Sequence, residues 1–154
     1  MRRTLSVLIS LGLLTCAASA QEREWTLDAS DQDAYLIFGV PETDDIGVSL
    51  WCTIHKGTVS LFVPRPTAEL QKHPHKKVPM TVAAGTETAT FAAKADINTE
   101  ASSSSLEVEM PVDHPLLKAL ASADRFSVRI GGDTIVYPFF AADFPSLMEL
   151  CRKG

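Results

Sequence analysis

The chain is poor in the residues from which catalytic and metal-binding motifs are assembled. Its 154 residues include 4 His, 3 Cys, 2 Trp and 2 Tyr. It contains no Gly-x-Ser-x-Gly, no His-Glu-x-x-His and no glycine-rich phosphate cradle, so the local motifs of a serine hydrolase, a zinc peptidase and a phosphate-binding loop are all missing. Positive charge is also scarce, at 14 Lys and Arg against 19 Asp and Glu. Nucleic-acid and anionic-membrane surfaces need clustered positive charge to displace counterions, so neither is an expected partner. After Leu14 no apolar run is long enough to span a bilayer.

The one sustained apolar run lies at the start. Arg2 and Arg3 precede Leu5 to Leu14, and Ala18-Ser19-Ala20 puts small residues where a signal peptidase reads. Residues 1–20 therefore read as a removable export signal, with the mature chain starting at Gln21. Cys16 raises the alternative of a lipoprotein signal, but Thr15 stands where a small Gly, Ala or Ser is usual. Removing the signal takes away two arginines and no acids, so the mature net charge is 12 − 19 = −7. The remaining 154 − 20 = 134 residues suit a single domain with a real core, residues 21–154. The expected location is periplasmic or secreted, with no transmembrane segment in the mature chain.

Two cysteines then remain, Cys52 and Cys151. An even count in an oxidising compartment points to a disulfide, and no Cys-x-x-Cys spacing supports a redox role. Cys52 falls on the apolar side of an alternating run, Gly47 to Ile54, with Val48, Leu50 and Ile54; Ser49, Trp51 and Thr53 take the other side. Cys151 completes a helical stripe with Phe144, Leu147 and Met148 at i, i+3, i+4 and i+7. Both thiols thus point to the core, and the bond would fasten the last helix to a sheet.

Further strands are expected at Ala34 to Val40, Thr58 to Val63, Val78 to Ala83, Thr86 to Ala93 and Leu106 to Met110. A hairpin about Gly131-Gly132 pairs Ile130 with Asp133, Val128 with Ile135 and Phe126 with Tyr137. Asp113-His114-Pro115 and Asp143-Phe144-Pro145 each set a capping Asp before an early-turn proline, predicting two short helices. Pro64-Arg65-Pro66 and the serine-rich Asn98 to Ser105 read as loops. The predicted fold class is mainly β: an antiparallel sandwich or partly open barrel of seven to nine strands, with two short helices and one disulfide.

Few segments offer chemistry. His73-Pro74-His75 places two imidazoles on one side of an extended segment, with Glu69 or His114 as a further ligand, but Lys72, Lys76 and Lys77 repel a cation there. The solvated basic loop is the preferred reading, and no metal or other cofactor is assigned. Pro41-Glu42-Thr43-Asp44-Asp45 is acidic enough for Ca²⁺, yet lacks a glycine-punctuated calcium loop and reads as a turn. Catalytic triads assemble in space, so an enzyme is not excluded by motif; it would need His114 or His55 beside a carboxylate. Trp51 and Tyr35 are the candidate interaction residues, because large aromatics on a wet face anchor interfaces. Trp25 is the other tryptophan to be placed.

The stretch Ala34-Tyr35-Leu36-Ile37-Phe38-Gly39-Val40-Pro41-Glu42-Thr43-Asp44-Asp45, then Leu50-Trp51-Cys52 and Gly57 to Phe62, resembles a group of short exported proteobacterial proteins of no assigned function. They share an early Trp, this turn, a cysteine strand and a terminal cysteine helix; the resemblance implies a fold and no activity. A weaker similarity is to periplasmic lysozyme inhibitors of small β-barrel type, whose early cysteine strand faces a late cysteine. Their inhibitory loop carries a tyrosine, and the nearest strand here offers Phe91, so no site residue transfers. The expected function is non-catalytic binding of a protein or small molecule. The alternatives are an inhibitor of a cell-wall-degrading or proteolytic enzyme, presenting Asn98 to Ser105 or Pro64 to His75 as a protruding loop, and a small periplasmic enzyme or metal-binding protein.

Overall fold

The computed structural model describes residues 22–64, 77–98 and 103–152. The expected export signal at 1–20, with Cys16, lies outside them, as do Glu69, His73 and His75. Nine antiparallel strands form one curled, half-barrel sheet in the order β1-β2-β3-β4-β7-β6-β5-β8-β9. They are β1 Glu24–Ala29, β2 Asp33–Gly39, β3 Ile46–Thr53, β4 Thr58–Pro64, β5 Val78–Ala84, β6 Glu87–Asn98, β7 Ser103–Pro111, β8 Arg125–Ile130 and β9 Asp133–Pro138. Two helices, α1 Pro115–Leu120 and α2 Phe144–Cys151, complete the described structure. The mainly-β class, the antiparallel arrangement and the disulfide are as the sequence predicts, and the curled half-barrel is the architecture adopted.

Period-2 alternation decides which way each strand faces. Ala34 and Leu36, Val48, Leu50 and Cys52, Val59, Leu61 and Val63, and Leu106, Val108 and Met110 point inward and are buried. The inner faces of β5 and β8 add Met80, Val82, Ala84, Phe126 and Val128. The hairpin pairs Ile130 with Asp133, Val128 with Ile135 and Phe126 with Tyr137, the expected register. Gly131 sits at φ +59°, where a side chain would be strained.

β6 couples the two halves of the sheet. Its first part pairs with β5, from Ala84↔Glu87 to Val78↔Ala93, and its second pairs with β7, from Lys94↔Glu107 to Asn98↔Ser103. β7 pairs with β4 as far as Pro111. Residues Val108 to Pro111 of β7 therefore have a described partner strand on the β4 side only, and the sheet parts there.

The curl brings the two ends of the sheet together through aromatic side chains. Trp25 on β1 lies 5.0 Å from Phe139 and 5.2 Å from Phe38, centroid to centroid, and its indole N–H donates to the Pro138 carbonyl at 2.6 Å. Tyr137 on β9 donates from its hydroxyl to the Gly47 carbonyl at 3.2 Å. An aromatic cluster bridges where strand pairing stops.

Helix α2 closes one end of this core. Phe144, Leu147, Met148 and Cys151 are buried on it, and Cys151 is bonded to Cys52 with a Cα–Cα distance of 5.7 Å. The β3–β4 turn grips the end of the same helix: His55 N–H donates to Leu150 O at 3.0 Å and Gly57 N–H to Cys151 O at 2.9 Å.

Four sequence expectations need correction. The first helix is capped by His114, whose Nδ1 accepts from Leu116 N–H at 3.1 Å, and Asp113 lies one position too early. Asp143 occupies the cap position of α2 but its side chain makes no capping bond, its backbone at φ −79°, ψ 56° lying outside the extended region usual for a cap. The loop expected over Asn98 to Ser105 is shorter than that: Asn98 belongs to β6 and Ser103 to Ser105 belong to β7, because Ser104 alternating with Leu106 and Val108 fits a strand as readily as a turn, while residues 99–102 lie outside the described residues. The strand β1 was not expected, although Trp25, Leu27 and Ala29 alternate there with Glu24, Thr26 and Asp28, the period-2 pattern of a strand.

Candidate functional site

The faces of β2, β3, β4 and β7 that point away from the core carry the polar and aromatic half of the alternation. Strand register lines Tyr35, Trp51, Ser60 and Glu109 across one row. The next row runs Ile37, Ser49, Phe62, Glu107 and Lys94. Tyr35 and Trp51 are stacked, with centroids 5.8 Å apart and planes 16° from parallel, within the range of favourable aromatic pairs. The Trp51 indole N–H donates to Glu107 Oε1 at 2.9 Å, reaching across β4 to do so. Ser60 lies beneath this span and is 8 % exposed, while Ser49 in the adjoining row is 6 % exposed. A larger side chain at Ser60 would lift the indole off the sheet.

A groove of about 560 Å³ opens beside the indole, on the β4, β7 and β6 side and away from Tyr35. It occupies the region where β6 leaves β7. Trp51, Phe91 and Ala92 supply its carbon surface; Thr53, Thr58 and Ser60 supply hydroxyls; Glu109 stands on β7. Lys56, Lys77 and Lys94 reach it from three different segments. Among the described residues, none of these lysines forms an ion pair. Its volume falls in the range of roughly 300–1,000 Å³ usual for small-molecule sites.

The predicted pair Tyr35 and Trp51 is thus brought together, on the side of β3 opposite Cys52. Lys77 was noted only as part of a basic loop, and Lys56, Lys94 and Glu107 were not named as site residues. Their convergence depends on the β4–β7–β6 strand order, and no local pattern encodes that order. The wet face of β7, with Glu107 and Glu109, was legible as alternation.

Other candidates are placed elsewhere. His55 faces the carbonyl of Arg152, with its Nδ1 3.1 Å away, and His114 caps α1 beside Phe91. Backbone groups thus hold both imidazoles. The acidic turn is built as a turn: Thr43 N–H and Oγ1 both donate to Val40 O, and Asp45 N–H donates to Thr43 Oγ1 at 3.1 Å. Asp45 is paired with Arg23 at 2.6 Å. The described residues contain no group of three or more His, Cys, Asp or Glu placed to hold a metal ion. Of the two loops considered for inhibition, residues 65–76 and 99–102 lie outside the described residues. No helix among the described residues is long and apolar enough to cross a membrane.

No family model, no curated protein and no solved structure matches this chain.

Proposed function

We propose that this is an exported, non-catalytic binding domain, acting in the periplasm or outside the cell, and that its ligand sits on the outer face of the sheet beside Trp51. One observation carries this reading: an indole fixed by stacking on Tyr35 and by its bond to Glu107, and set against a polar groove. A side chain held on both sides loses little freedom when a ligand arrives, so contact with it is not offset by an ordering cost. Disulfides persist in oxidising compartments, and the Cys52–Cys151 bond agrees with export.

The two indoles make the test internal. Trp25 lies in the aromatic cluster and Trp51 at the groove. Titrating the ¹⁵N-labelled mature protein with a soluble cell-envelope extract should move the Trp51 indole N–H resonance and leave that of Trp25 in place. Trp51→Ala should abolish the shifts at neighbouring groove amides. Shifts confined to other surfaces, or none at all, would sink the assignment of the ligand site.

A further inference from the structure

The chemistry of the groove narrows what occupies it, provided that the outer face is the binding surface as argued above. We propose that the ligand is a carboxylate-bearing saccharide, a sugar acid or an oligosaccharide containing one. The local charge is the first reason. The mature sequence is seven units negative, yet Lys56, Lys77 and Lys94 converge here, and among the described residues none has an ion pair to neutralise it. Three compact ammonium groups around one groove favour an anionic group, and each offers its protons in any direction. Lining by lysine, glutamate and hydroxyl side chains is wrong for an apolar ligand, whose burial would strip their hydration without return.

The second reason is that the anion cannot be densely charged. Glu109 lines the same groove and Glu107 holds the indole at its wall. Both carboxylates repel a phosphate or sulfate ester bearing more than one charge, whereas both accept hydrogen bonds from sugar hydroxyls. Thr53, Thr58 and Ser60 add groups that donate and accept. The third reason is the wall itself. Trp51 lines the groove and its stacking partner Tyr35 does not, and a pyranose ring presents a flat C–H face that stacks on an aromatic surface. One carboxylate toward the lysines, hydroxyls toward Glu109 and a ring on Trp51 use each feature once. An acidic peptide would satisfy the lysines, but its additional carboxylates would be repelled by Glu107 and Glu109.

The test uses the mature, disulfide-intact protein and three probes: digalacturonate, the corresponding neutral galactose disaccharide, and tetraglutamate. Digalacturonate should shift the Trp51 indole resonance saturably and bind at least ~10-fold more tightly than the neutral disaccharide, with affinity falling as salt rises. Lys94→Glu should weaken it by at least ~10-fold and Lys94→Gln by less, the exposed site leaving the circular dichroism spectrum unchanged. Equal affinity for the neutral sugar would overturn the acid requirement, and binding of tetraglutamate alone would overturn the saccharide. Both outcomes would leave Trp51 as a binding residue. Silence to all three probes overturns the saccharide. If the Trp51 resonance is silent to envelope extract as well, the binding face falls with it.

Discussion

Two tryptophans of the same chemistry do opposite work here. Trp25 stands among Phe38, Phe126 and Phe139 and donates to Pro138 O, so it joins the first strand to the last. Its replacement by Ala removes packing and leaves a carbonyl without its donor, and should cost about 3 kcal/mol in urea unfolding. Trp25→Phe keeps most of the packing and should cost only ~1 kcal/mol, the worth of the hydrogen bond. Trp51→Ala, on the wet face, should cost ~1 kcal/mol or less, in line with a half-buried side chain outside the core. Equal losses at the two positions would contradict the division between a structural and a groove-facing indole. The face of Trp51 was legible in the sequence because Cys52 is its neighbour and the strand alternates. Trp25 was not, because its partners are more than ten residues away in sequence and no local period points to them.

At the scale of the element, the last helix is held by three fastenings: the buried stripe, the disulfide, and the backbone bonds from His55 and Gly57. The stripe could be read from spacing, since i, i+3, i+4 and i+7 fixes a helical face, and the disulfide from the even count of mature cysteines. The third fastening belongs to the β3–β4 turn, in which His55 adopts φ 60° and Gly57 φ 80°. Spacing contains nothing of that. Removing the bond by a Cys52→Ala, Cys151→Ala double substitution should lower stability by up to ~4.7 kcal/mol, the chain-entropy figure for a loop near 100 residues. Hydrogen exchange should then accelerate first in Phe144–Cys151 and at the amides of His55 and Gly57 together. Loss of protection elsewhere ahead of these amides would show that the disulfide does not clip this helix. The first helix gives a sharper contrast. His114→Ala should cost ~1 kcal/mol as a lost cap, while Asp113→Ala should be nearly neutral, a comparison that thermal melts resolve. Both Asp and His precede the proline, and only the backbone path decides which side chain reaches Leu116 N–H.

At the scale of the molecule, the number and type of strands followed from composition and alternation, while their order did not. The alternation of β4 and β7 says that each has an inner face, and nothing local says that they are neighbours. That adjacency matters most for the proposed binding face, because it places Glu107 under Trp51 and parts β6 from β7 to open the groove. It also sets how the molecule unfolds. β6 is shared: Glu87 to Ala93 pairs with β5, and Lys94 to Asn98 pairs with β7. Neither half of the sheet can lose its pairing with β6 without exposing the inner face of the other, where Met80, Ala93, Leu106 and Phe126 meet in one core. The aromatic contacts of Trp25 across the open side strengthen the same coupling. Unfolding should therefore be a single transition with the disulfide intact. The Trp51 indole resonance reports on β3 and the ring signals of Phe126 and Tyr137 on β8 and β9. Their urea midpoints should coincide with each other and with the far-ultraviolet signal. Ala93→Pro, at the hand-over from β5 to β7, should separate the midpoints or abolish folding, because proline removes a backbone donor where β6 changes partner. If the unsubstituted protein already shows separate midpoints for Trp51 and Phe126, β6 does not couple the halves. The groove at its bend would then lie between two independently moving sheets, not on one rigid surface.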